Sequence, residues 1–84
     1  MTKTQAKARL NRLLEKLGEI RSELEDLQSE AQDTADEIEP YDGKDDLTEA
    51  QEERQEYFEE LASTLEDEVS NLEEVENNLE ELTY

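Results

Sequence analysis

From Leu10 onward, apolar side chains return at alternating steps of three and four: Leu10, Leu13, Leu17, Ile20, Leu24, Leu27, Ala31 and Ile38, with Thr34 alone out of pattern. Strands repeat every two residues, so a rhythm of 3.5 held over four heptads specifies a coiled-coil helix. The rhythm breaks once. Pro40 disfavours helix at Glu39, and Gly43 offers a position free to take positive φ, so 39–47 reads as a turn. Thr48 with Gln51 three residues later forms a capping-box signal, and Glu49, Glu52 and Glu53 put negative charge where a helix N-terminus favours it. A second heptad run follows through Phe58, Leu61, Leu65, Leu72, Val75, Leu79 and Leu82. Glu68 intrudes on it, and Val69 beside it is placed to take over the contact.

The expectation is one all-α domain over 1–84, an antiparallel two-helix coiled-coil hairpin with helix 3–38, turn 39–47 and helix 48–83. A seven-residue repeat implies a slight left-handed supercoil, and a short connection makes the helices antiparallel neighbours. Reversal near Gly43 pairs residues whose numbers sum to about 86, which sets Leu10 near Leu79 and Leu27 near Phe58.

Charge favours the same arrangement. The chain holds 27 acidic and 8 basic residues, no histidine, and a net charge of −19. Six of the basic residues (Lys3, Lys7, Arg9, Arg12, Lys16, Arg21) precede residue 23, and in a hairpin they lie against Glu66, Asp67, Glu68, Glu73, Glu74, Glu76, Glu80 and Glu81. A parallel dimer of extended chains would stack like charges instead, which costs stability. Leu, Ile, Val and Phe make up only about a fifth of the chain, near the boundary with disorder for so charged a sequence. One alternative is therefore a chain that folds only on its partner. Leu14, Tyr57, Ala62 and Val69 widen the apolar stripe beyond strict a and d positions. Homodimerisation into a four-helix bundle would cover that width, as would another protein.

Residues 23–60 carry 17 carboxylates against Lys44 and Arg54, a net of −15. Over the 25–30 Å expected for this half (about 1.5 Å per helical residue), that is one negative charge per about 1.8 Å, close to the 1.7 Å of duplex DNA. So acidic a surface excludes direct binding of nucleic acid or anionic membranes and suits a basic protein surface. The candidate partner-binding residues are Glu30, Asp33, Asp36, Glu37, Glu39, Tyr41, Asp42, Asp45, Asp46, Glu49, Glu52, Glu53, Glu56, Glu59 and Glu60. The bland counterpart is a solvated acidic face. Tyr41, beside Pro40, is either an aromatic anchor for a partner's pocket or packing over the helix ends.

Other chemistry has little footing. Cysteine is absent, which excludes disulfides and thiolate sites. The Asp42–Asp46 turn resembles part of an EF-hand, but with Gly43 at loop position six, Ile38 and Pro40 fall at positions one and three and cannot ligate. No metal or cofactor is expected. Without His, Cys, a Gly-rich phosphate loop or a G-x-S-x-G elbow, the chain is expected not to be an enzyme. No apolar stretch approaches a membrane span, and a cytoplasmic location is the expectation.

The segment Asp46-Leu47-Thr48-Glu49-Ala50-Gln51-Glu52-Glu53 and the repeat from Asn71-Leu72-Glu73-Glu74-Val75 to Asn78-Leu79-Glu80-Glu81-Leu82 resemble small acidic helical proteins of phages and mobile elements in Gram-positive bacteria. The resemblance implies an anti-CRISPR or other anti-defence inhibitor that imitates nucleic acid. The expected function is then a non-catalytic mimic that occupies a basic surface of a DNA- or RNA-binding protein and inhibits it. The alternative is a coiled-coil adaptor or oligomerisation element that acts through its apolar seam.

Overall fold

A computed structural model describes residues 1–84 as two helices, α1 (Lys3–Asp36) and α2 (Glu49–Glu80), packed against each other as an antiparallel hairpin. Each starts at a reciprocal capping box. Thr2 and Gln5 exchange backbone and side-chain hydrogen bonds at 2.9 and 3.1 Å, and Thr48 and Gln51 repeat the geometry at the same distances. Two of the four orphan N–H groups at each helix start are thereby satisfied. α1 ends two residues before the expected boundary, and α2 ends at Glu80 instead of residue 83.

Reversal takes twelve residues, 37–48. Lys44 N–H donates to the Tyr41 carbonyl at 2.9 Å, closing a turn in which Gly43 has φ +79. Positive φ at the third turn residue is what a type II turn requires and what glycine adopts without penalty. α2 then ties the connection back through two glutamines. Gln51 donates from Nε2 to the Glu39 carbonyl at 2.9 Å, and Gln55 to the Ala35 carbonyl at 3.3 Å.

The core differs from the expected seam in an instructive way. On α1 the rows that face α2 are Lys7, Leu14, Arg21, Gln28, Ala35 (position a) and Leu10, Leu17, Leu24, Ala31, Ile38 (position d), all at least half-buried. On α2 they are Gln55, Ala62, Val69, Glu76, Thr83 and Phe58, Leu65, Leu72, Leu79. Only the d rows match the expected seam. Its second row, Leu13, Ile20 and Leu27 with Val75 and Leu82, is exposed at position g, whereas Leu14, Ala62 and Val69, expected to widen the stripe, are core. Tyr57 is exposed. Val69 does replace Glu68 in the interface.

Small residues decide between the two rows. Ala35 and Ala62, the small residues of the a rows, are among the most buried side chains, and their size lets the backbones approach closely. Thr34, at g, instead donates its hydroxyl to the Glu30 carbonyl at 2.7 Å, the back-bonding typical of a helical threonine off the interface.

The register also moves. Arg21 meets Glu73 and Glu76, Gln55 meets Ala35, and Lys7 Nζ donates to the Tyr84 carbonyl at 2.8 Å. Residue numbers of these pairs add to between 90 and 97, which places the helices one heptad beyond the expected 86. In phase with them, Ala31 faces Ala62, Ala35 faces Phe58 and Leu14 faces Leu79. The long connection causes the shift, because its first residues run on beside α2 before the chain turns. Met1 to Ala6 consequently overhang the facing segment, and the molecule measures 68 × 16 × 15 Å, against about 51 Å for α1 alone at 1.5 Å per residue.

The two glycines should respond with opposite signs. A Cβ at either meets nothing within 4 Å, so backbone preference decides. Gly43→Ala should lose about 1 kcal/mol, and Gly18→Ala, inside α1, should gain about 1 kcal/mol, both read by urea melts at fixed protein concentration. Added salt should raise the melting temperature of the parent chain by screening its self-repulsion.

Candidate functional site

All fourteen candidate carboxylates are exposed, together with Tyr41, and none forms an ion pair. On α2 they occupy defined rows: Glu49 and Glu56 at b, Glu52 and Glu59 at e, Glu53 and Glu60 at f. On α1, Asp33 and Asp36 lie at f and b, while Glu30 and Glu37 lie at c; Glu39, Asp42, Asp45 and Asp46 belong to the connection.

The acidic surface reaches further than the turn-proximal half. Acidic pairs recur every seven residues along α2 as Glu52–Glu53, Glu59–Glu60, Glu66–Asp67, Glu73–Glu74 and Glu80–Glu81. At about 1.5 Å per residue these pairs stand about 10.5 Å apart on the outer side of the hairpin. The repeat is present in the sequence, and its second half lies outside the turn-proximal residues 23–60. Of the acidic residues in α2, only Glu68 and Glu76 lie outside the b, e and f rows.

Neutralisation is concentrated at one residue. The three ion pairs all belong to Arg21: Nε to Glu76 at 3.2 Å, and Nη1 to Glu25 at 3.2 Å and Glu73 at 3.9 Å. Nε also donates to the second Glu76 oxygen at 3.2 Å. The hydrogen bonds and charge of Glu76 hold the guanidinium pKa above its ordinary value against the opposing effect of desolvation, with a smaller contribution from Glu25. The expected pairing of the whole basic stretch with α2 is not seen. Arg9 and Lys16 sit at c and Arg12 at f, rows that turn away from α2, and Lys3 lies on the overhang.

Arg21 also orients the molecule. It reaches Glu25 and Glu73, e-row residues of both helices, so the e rows share one flank of the hairpin and the g rows share the other. One flank is therefore acidic, and the opposite one carries Leu13, Ile20, Leu27, Leu61, Val75 and Leu82.

Within the acidic half the two cations are diverted from the carboxylates. Arg54 lies over the Phe58 ring at 5.7 Å, a cation–π contact, and Lys44 makes no ion pair. Phe58 packs in the seam and meets Tyr57 edge-on at 5.2 Å. Tyr41 is 63% exposed, which removes the reading of it as packing over the helix ends. It borders a shallow groove of about 450 Å³ with Thr34, Ile38, Ala50, Gln51 and Arg54. The one-heptad stagger lengthens the acidic half to about 32 Å, or one net negative charge per about 2.1 Å, slightly sparser than expected from the sequence and still near the 1.7 Å of duplex DNA.

No helix is long and apolar enough to cross a membrane. No family model, curated protein or solved structure matches this chain.

Arg21→Ala should lower the melting temperature, because it leaves the half-buried Glu76 without its partner. Replacing Arg21 and Glu76 together by leucine should raise it above the parent value, and differential scanning calorimetry of the two variants separates these outcomes.

Proposed function

We propose that this chain is a non-catalytic acidic binding protein whose turn-proximal carboxylates occupy a basic, nucleic-acid-binding surface of a partner protein and inhibit it. The observation that carries this reading is the unneutralised charge. Fourteen exposed carboxylates share one half of the rod without an ion pair among them. Their axial charge density approaches that of a phosphate backbone, and most of them stand on helices whose positions are fixed by the seam. A Lys/Arg surface shaped for nucleic acid meets here a rigid anion with little ordering cost. Tyr41, exposed beside these carboxylates, supplies an aromatic anchor. The likeness to phage-type acidic inhibitors fits the same reading and makes an anti-CRISPR or other anti-defence role in the bacterial cytoplasm its most specific form.

A second reading, an adaptor or oligomerisation element, draws on a different observation: the apolar flank of exposed leucine, isoleucine and valine opposite the acidic one.

Neutralising Glu52, Glu53, Glu56, Glu59 and Glu60 to Gln distinguishes them. The immobilised parent chain should capture basic proteins from bacterial lysate, and duplex DNA or salt should release them. The neutralised variant, with unchanged helical circular dichroism, should lose at least about tenfold in capture, since several charge contacts vanish together. Capture that survives both neutralisation and DNA competition would instead support the adaptor reading.

A further inference from the structure

The apolar flank and the charge gradient of α1 are unexplained by the isolated hairpin. Only five of 84 residues are buried, and the accessible surface is 6657 Å². A compact monomer of 9.8 kDa would expose about 5,200 Å². The excess of about 1,500 Å² is more than the roughly 800 Å² that a stable interface removes from each partner. Leu13 is 53% exposed, Ile20 48%, Val75 43% and Leu82 66%, and all lie on the g flank, directly beside the d rows that already form the core. Each helix thus leaves a largely apolar row uncovered beside its core.

The rows that border this flank identify what covers it. On α2 the bordering c row is uncharged throughout: Ala50, Tyr57, Thr64, Asn71 and Asn78. On α1 the same row changes sign halfway, from Arg9 and Lys16 to Glu23, Glu30 and Glu37. Local stability does not account for the change. α1 has no acidic residue in its first turn and no basic one in its last, the reverse of what the helix macrodipole favours. A row that is positive at one end and negative at the other is, however, complementary to itself when inverted.

We propose that a second copy of this chain seats on the g flank, head to tail about a two-fold axis, and completes a four-helix bundle. A two-fold axis perpendicular to the rod lays α1 on its own copy and α2 on its own copy, both antiparallel. Arg9 and Lys16 of one chain then lie along Glu23, Glu30 and Glu37 of the other, and the two uncharged rows of α2 meet each other. Leu13, Ile20, Leu27, Leu61, Val75 and Leu82 of the g rows become a second core layer, with Glu68 the one acidic residue among them. A head-to-head dimer would cover the same apolar surface but set two acidic halves, each of net charge −15, side by side. The head-to-tail bundle separates them and leaves the b, e and f carboxylates of α2 facing outward. Glu30 and Glu37 move from the list of partner-binding candidates to the dimer interface. The inference stands on the g flank and the c rows and holds whether or not the acidic surface mimics nucleic acid.

Sedimentation equilibrium tests it. The parent chain should sediment at twice 9.8 kDa and approach the single-chain mass on dilution, with a melting temperature that rises with protein concentration. Ile20→Glu with Val75→Glu should halve the mass while helical circular dichroism persists in the hairpin. Arg9→Glu with Lys16→Glu should weaken the dimer at least about tenfold, and adding Glu23→Lys and Glu30→Lys should restore it, which only an inverted row of opposite charges permits. A parent chain that stays at the single-chain mass at about 1 mM overturns the proposal, as does a dimer indifferent to the Ile20/Val75 pair. Failure of the second charge swap to rescue the first overturns the head-to-tail arrangement.

Discussion

Everything in this molecule depends on a contest between a narrow apolar seam and the repulsion of a chain at net charge −19. Two helices can bury little against each other, so every layer of the seam counts. Alanines near the turn bring the backbones close, leucines fill the middle, and one arginine takes two carboxylates from the facing helix. What the seam does not hold, the surface must tolerate, which is why the carboxylates of α2 are confined almost entirely to the rows that point away from α1.

Arg21 and Glu76 show how polar residues serve that seam. Both occupy a positions, where leucine would bury more apolar surface, and a paired charge in such a place contributes more to register than to net stability. With Gln55 on the Ala35 carbonyl and Gln51 on Glu39, it fixes the helices in a staggered alignment. The stagger in turn sets the length of the acidic half and the overhang of the basic N-terminus, so a half-buried ion pair helps to govern the shape of the exposed charge.

The hairpin itself was legible because its signals are local. Thr48 with Gln51 specifies a helix start, Gly43 a turn of positive φ, and Val69 next to Glu68 a one-residue correction to the heptad. The box at Thr2 and Gln5 was equally local, and the Thr-x-x-Gln spacing could have revealed it. The identity of the second seam row was not legible. Leu13, Ile20 and Leu27 fit a heptad as well as Leu14, Arg21, Gln28 and Ala35, and by hydrophobicity alone they fit better. The choice falls to the second set because Ala35 packs closely against the facing helix and Arg21 can be satisfied by residues 52 and 55 positions away, both non-local facts. The register was not legible for a related reason: the position of one glycine does not reveal that the first residues of the connection run on beside α2. Among the site candidates, exposure and the lack of ion pairing followed directly from composition, since two cations cannot neutralise 17 anions. The continuation of the acidic pairs down α2 follows only once the faces are assigned.

A distance between spin labels at Lys16→Cys and Asn77→Cys, diluted into unlabelled chain, tests this alignment most directly, since no native cysteine competes for the label. Helices packed 8–10 Å apart in the staggered register place the two sites level with each other, and the label separation should fall below about 25 Å. A separation near 90 Å, the span of about 60 residues in one continuous helix, would contradict the hairpin and dissolve the acidic half as a structural unit. A shorter separation for Lys16→Cys with Ser70→Cys, one heptad earlier on α2, than for Lys16→Cys with Asn77→Cys would restore the unstaggered register and remove Arg21 from its place between Glu73 and Glu76.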